Sequence, residues 1–187
     1  MWLPELFIHK QKGDQTMLEL YRNRRSIRKY KNLKVEKEKV EKILEAGLLA
    51  PSSMNKKPLE FIVVDDSNTI KALKDMKKGG TIALETAPLV IVILADSTKS
   101  DVYQEDASIA STMMLFEAEK LGLGTLWIQI RNRYGFKKTS NEEIKEYLHI
   151  PSHLEVVNLL VIGYKDEIKE PNTTIDLNKI HYNDYMK

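Results

Sequence analysis

Residues 21–32 read YRNRRSIRKYKN, with four arginines and two lysines in twelve positions. Arg24, Arg25 and Arg28 fall within five residues, around the hydroxyl of Ser26. If residues 24–28 leave the helix, several guanidinium forks and a hydroxyl converge on one phosphate. A solvated, charged helix end would use the same residues. A second polar run, PSSMNKKP at 51–58, sets two hydroxyls and an amide between two prolines. Those groups offer donors and acceptors on a stiffened backbone. An ordinary helix-to-strand loop has that composition too.

Other reactive sets are missing. The histidines are His9, His149, His153 and His181, and no two sit at metal-ligand spacing on an expected helix. There is no cysteine, which excludes a disulfide framework, a thiolate zinc site, an iron–sulfur cluster and a cysteine nucleophile. Neither G-x-S-x-G nor G-x-x-x-x-G-K occurs. GLGT at 122–125 lacks a third glycine at dinucleotide spacing and reads as a helix end and turn. No metal site is expected. If the chain is an enzyme, its hard chemistry belongs to a bound cofactor.

Totals narrow the partners. Twenty-nine bases against 27 acids leave a net charge of +2, so the arginine cluster is a local feature. A general nucleic-acid binder carries a larger basic excess, and no nucleic-acid partner is expected. The longest apolar run, APLVIVILA at 87–95, is about half of the ~20 residues that span a bilayer. The first fifteen residues, MWLPELFIHKQKGDQ, make a poor secretion signal. The expectation is a cytoplasmic protein without a membrane partner.

The positioning elements follow from hydrophobic period. One domain is expected over 17–187, preceded by an arm at 1–16 and ending in an extended surface tail from about 165. Helices are expected at 16–23, across 34–50, at 67–80, within 101–124 and at 139–150. Strands are expected at 59–66, 88–96, 124–130 and 153–164, the second apolar on both faces as a central strand is. The helix segment 107–118 is apolar or small nearly all round, so it must be covered on more than one side, in part by another subunit. No glycine-rich turn follows a strand in the nucleotide-binding manner, which favours α+β over α/β.

Taken together, the motifs form a pattern. RRSIRKY at 24–30, AGLLAPSSMNKKPLEFIVV at 46–64, APLVIVILAD at 87–96, EKLGLGTLWI at 119–128 and IPSHLEVVNLLVIGY at 150–164 resemble, in order and spacing, the FMN-dependent nitroreductase family. The resemblance runs from Met17 to Tyr182. It implies an α+β sandwich with a central, mostly antiparallel sheet flanked by helices. It also implies an intertwined homodimer with FMN at the interface. By the same resemblance, Arg24, Arg25, Ser26 and Arg28 meet the FMN phosphate, ribityl chain and pyrimidine edge. Pro51, Ser52, Ser53 and Asn55 reach the flavin from the other subunit, and Gln129 and Ile130 lie along its ring. The implied activity is ping-pong electron transfer from NADH or NADPH through FMN to a nitroaromatic, quinone or similar small electron-poor acceptor. No side chain of the protein is then required as a catalytic acid or base.

Four departures stand out. Lys57 takes the place of a glutamine, adding a positive charge near the flavin or on the surface. Ile130 replaces a common glycine and would narrow the pocket. Arg131, Asn132 and Arg133 follow it, either as a solvated loop or as a site for an anionic acceptor or a nicotinamide phosphate. The tail offers Lys165 or Lys169, not arginine, to the FMN phosphate. A flavin store or redox sensor with little turnover is the competing reading, favoured if Ile130 closes the flavin face.

Overall fold

The computed structural model describes residues 16–185. The expected arm at 1–16 lies outside them except for Thr16, the N-cap of the first helix. In chain order the elements are α1 (Met17–Asn23), α2 (Lys37–Leu48), β1 (Leu59–Val64), α3 (Ser67–Asp75), β2 (Leu89–Asp96), α4 (Tyr103–Lys120), β3 (Gly124–Gln129), α5 (Ser140–Tyr147) and β4 (Leu154–Gly163). Single-turn helices occur at Ser53–Asn55, Ile82–Glu85 and Leu177–Lys179.

Local chemistry sets the helix ends. Thr16 with Glu19, and Thr139 with Glu142, satisfy each other's orphan backbone donors at the starts of α1 and α5. For α3 the cap is Asp66, whose carboxylate accepts from the Thr69 N–H, one residue before the expected Ser or Asn cap. This helix also ends sooner than the pattern suggests, at Asp75. Met76 still packs on the core, but its N–H turns to the Leu73 carbonyl and the Lys78 N–H donates to the Tyr134 carbonyl instead of continuing the helix, so residues 77–80 form a loop.

The sheet is antiparallel throughout, in the order β1-β2-β4-β3. Its central strands are buried on both faces, every residue of β2 and all but Glu155 of β4. The two-residue period of β2 divides the core. Val90, Val92 and Leu94 pack with Ile70 and Leu73 of α3 and Ile144 of α5. Ile91, Ile93 and Ala95 pack with Ile43 of α2 and with Ala107, Met114 and Ala118 of α4. Helices thus cover both faces of an antiparallel sheet, the α+β sandwich expected. Helix α4 lies beneath α1 and α2 on the sheet, and Ile109 on its outer side stays exposed.

Candidate active site

The arginine segment does leave the helix. The Arg24 N–H closes α1 on the Leu20 carbonyl, and from there the chain is extended. It runs beside the start of β3, where the Ile27 N–H donates to the Thr125 carbonyl at 2.9 Å and Ser26 forms a parallel bridge with Thr125. Ile27 is buried in the core, an anchor contributing about 1.5–3 kcal/mol that uses none of the cations. The Tyr30 hydroxyl donates to the Ile27 carbonyl at 2.7 Å. Burial pushes that phenol far above its ordinary range, with the charge of Glu167 adding to the effect and that of Arg28 opposing it, so it stays a donor.

Both glycines of GLGT are needed here. Gly122 ends α4 with a φ of +79°, as a helix end and turn requires. Gly124 lets the segment approach, since a Cβ there would sit 2.9 Å from Ile27 Cγ1 and 2.8 Å from Lys165 Cγ. With Ile27 and Tyr30 inside, Arg24, Arg25 and Ser26 are left half-buried and Arg28 exposed.

The tail straps this segment. Arg25 Nη1 donates to the Glu170 carbonyl, and the Arg28 N–H to the Glu167 carboxylate. Lys169 Nζ donates to the Ser26 carbonyl at 2.6 Å and pairs with Glu167 at 3.3 Å. The Arg28 N–H, and after it Lys169, hold the Glu167 carboxyl below its usual value. Lys165 is engaged elsewhere, on Glu119 at 2.6 Å. Of the two tail lysines, therefore, Lys169 stands on the arginine segment. Among the described residues no carboxylate pairs with the guanidinium of Arg24, Arg25 or Arg28. Three guanidiniums, a hydroxyl and an ammonium with so little opposing charge fit a phosphate.

The PSSMNKKP loop has a different anchor. Asp106, buried in the first turn of α4, accepts from the Ser53 N–H at 2.8 Å and from the Ser100 hydroxyl at 3.0 Å. Sequence reasoning missed this residue, although a carboxylate at the head of a small and apolar helix face was the visible signal. Lys57 folds back: its N–H donates to Ser52 Oγ at 2.9 Å and its Nζ to the Ala50 carbonyl at 3.0 Å. Met54, Asn55 and Lys57 have φ of 49°, 56° and 47°, sparsely populated for such residues and typical of ligand-holding segments. Pro51 and Asn55 are exposed, and Ser52 and Ser53 are half-buried.

The two segments do not meet within one chain. The loop sits on Asp106 near the start of α4, and the arginine segment beside the Lys165–Glu119 pair near its end. Between those positions the helix rises roughly 20 Å.

Gln129 ends β3, accepting from Trp127 Nε1 at 2.9 Å and donating to the Arg131 carbonyl at 3.1 Å. Ile130 corrects an expectation. It is 1 % exposed, its side chain lies in the core, and its N–H donates to the Val157 carbonyl at 3.2 Å. It therefore narrows no pocket, and neither its side chain nor its N–H is free for a flavin ring. Beyond it, Arg131, Asn132 and Tyr134 border a cleft of about 250 Å³ with Tyr103 and Gln104.

An antiparallel four-stranded sheet with helices on both faces, carrying a cationic segment against β3, defines a nitroreductase-type domain. The chain belongs to the Nitroreductase family, whose sequence profile matches residues 21–83 and 72–164. It is similar to a solved FMN-dependent nitroreductase from Clostridium difficile, at 47% identity and a TM-score of 0.88, over 90% of this chain and 100% of the other. Proteins named NADH dehydrogenase/NAD(P)H nitroreductase are also similar. That of Archaeoglobus fulgidus is 36% identical over 80% of this chain and 86% of its own length. That of Methanothermobacter thermautotrophicus is 31% identical over 88% and 85%.

Proposed function

We propose that this chain is an FMN-dependent NAD(P)H oxidoreductase that works as an intertwined homodimer. It passes electrons by a ping-pong scheme to a nitroaromatic, quinone or similar electron-poor acceptor. The observation that carries this reading is the separation of two anchored polar segments along α4. A second copy brings Pro51, Ser52, Ser53 and Asn55 of one chain to Arg24, Arg25, Ser26 and Arg28 of the other. Exposed apolar side chains supply a face for that copy: Leu18 on α1, Leu48 at the end of α2, Leu49, Met54 and Ile109. Ile175, Leu177 and Ile180 of the tail are exposed as well and cover the partner.

Bound FMN supplies a ring that accepts a hydride and gives up electrons, and the chain holds it. Arg24, Arg25, Ser26 and Lys169 take the phosphate and ribityl end. Arg28 sets positive charge at the pyrimidine edge, which favours the reduced, anionic ring. On a two-electron couple about 1.4 kcal/mol of such preference equals about 30 mV. Gln129 borders the ring. The flavin-store reading rested on Ile130 covering the ring, and burial of that side chain in the core removes its support. The cytoplasm, with its pool of reduced nicotinamide, is the compartment this activity needs.

Initial rates of the FMN-loaded protein, with NAD(P)H and a quinone both varied, test the scheme. Parallel double-reciprocal lines together with sedimentation at the mass of two chains are expected. A monomer that retains FMN and full turnover would overturn the shared site.

A further inference from the structure

A group of cations beyond β3 has no role in holding FMN. Lys77 and Lys78 lie in the loop after α3, and Arg131 and Arg133 in the loop after β3. A hydrogen bond of 2.9 Å from the Lys78 N–H to the Tyr134 carbonyl joins the two loops.

Sorting the local charges shows which are spent. Lys138 is paired with Glu146 at 2.7 Å. Glu143 faces Lys137 and accepts from the N–H groups of Lys137 and Lys138. Lys77, Lys78, Arg131 and Arg133 have no carboxylate within ion-pair distance among the described residues. Lys77 Nζ and Arg133 Nη1 donate to backbone carbonyls instead, those of Gly79 and Asn132. Lys78 Nζ lies 5.8 Å from the centre of the Phe136 ring. Burial, and then the positive charge of Arg133, hold the Lys77 amine below its ordinary value. Like charges gathered without a counter-ion favour an anion between them.

Aromatic surface lies beside them. Tyr134 and Phe136 are 65 % and 71 % exposed. With Lys78, Lys137, Lys138 and Glu142 they border a cleft of about 420 Å³, within the range of small-molecule sites, and Arg131 and Tyr134 border the neighbouring cleft of about 250 Å³. This second cleft adjoins Gln129, where the reacting end of a long ligand would lie: the Gln129 amide donates to the Arg131 carbonyl at 3.1 Å, and the chain then turns, with the Arg133 N–H on the Ile130 carbonyl at 3.0 Å.

We propose that Lys77, Lys78, Arg131 and Arg133, with the rings of Tyr134 and Phe136, bind the phosphorylated adenosine end of the reductant, so that the enzyme prefers NADPH to NADH. This rests on the flavin reading of the Gln129 region. The added ribose phosphate of NADPH carries nearly two negative charges at neutral pH and meets the cations, and the adenine stacks on the rings.

Two measurements test it. Calorimetry on the FMN-loaded protein compares adenosine bisphosphate (the phosphorylated half of NADPH) with AMP (the same half of NADH). Tighter binding of the bisphosphate by about tenfold or more is expected, weakened by added salt. In turnover, Arg133→Gln and Lys77→Gln each raise KM for NADPH by about tenfold and leave NADH within about twofold. Equal binding of the two nucleotides, or equal losses with NADPH and NADH, overturns the subsite. If NADH alone reduces the flavin well, the subsite fails and the oxidoreductase reading stands. If neither nucleotide reduces it, both fail.

Discussion

Arg24, Arg25 and Arg28 differ in what else depends on them. Arg25 also ties down the tail through the Glu170 carbonyl, whereas the guanidiniums of Arg24 and Arg28 have no protein partner among the described residues. Arg24→Ala and Arg28→Ala should therefore each weaken FMN binding by about ten- to a hundredfold, with the urea midpoint of the apoprotein unchanged. Flavin fluorescence titration reads the first quantity and urea unfolding the second. Tyr30→Phe should behave oppositely. It leaves the Ile27 carbonyl short of its donor and lowers unfolding free energy by about 1–3 kcal/mol. An unchanged urea curve for Tyr30→Phe would count against the anchor. The arginine cluster, and the phosphate chemistry proposed for it, could be argued from the sequence, because residue type and spacing carry that argument. The choice between Lys165 and Lys169 was not. It depends on Glu119, a carboxylate distant in sequence that claims Lys165.

At the scale of elements, α4 spaces the two polar segments of the proposed site and Asp106 fixes one of them. Asp106→Ala strands the Ser53 N–H and the Ser100 hydroxyl, a loss of about 1–3 kcal/mol that should come with faster proteolysis within 51–57. Asp106→Asn keeps an accepting oxygen and should recover most of both effects. Asp96, buried at the end of β2, gives a pH signature. The Thr98 hydroxyl donates to it at 2.6 Å, and Lys99 lies 3.2 Å away. The Thr98 hydrogen bond leads in pulling its carboxyl down to about 2, with Lys99 assisting against burial. A depressed carboxyl stabilises the fold above its unfolded pKa, near 4, and loses that contribution as pH falls toward 2. Asp96→Asn should flatten that part of the stability curve, and an unaltered slope between pH 4 and 2 would contradict the assignment. The strands and long helices were legible from period and length. The early end of α3 and the turn at Ile82–Glu85 were not, because contacts distant in sequence decide them: the Lys78 N–H on the Tyr134 carbonyl, and the burial of Ala83 and Leu84.

At the scale of the whole molecule, the α+β sandwich was readable from motif order, and the structure bears it out. Ile130 shows the limit of such reading. Where a motif suggests a pocket wall, the alternation of the chain after β3 turns the side chain into the core. The separation of the two polar segments along α4 was likewise invisible before the chain was folded, and the proposed dimer rests on it. The most direct test is an anaerobic absorbance titration of the purified protein, supplied with FMN, against NADPH and NADH. Retained flavin with a band near ~450 nm, bleached by reduced nicotinamide and restored by a quinone, is the expected result. Protein that takes up no FMN, or holds flavin that neither nucleotide bleaches, would contradict the oxidoreductase assignment.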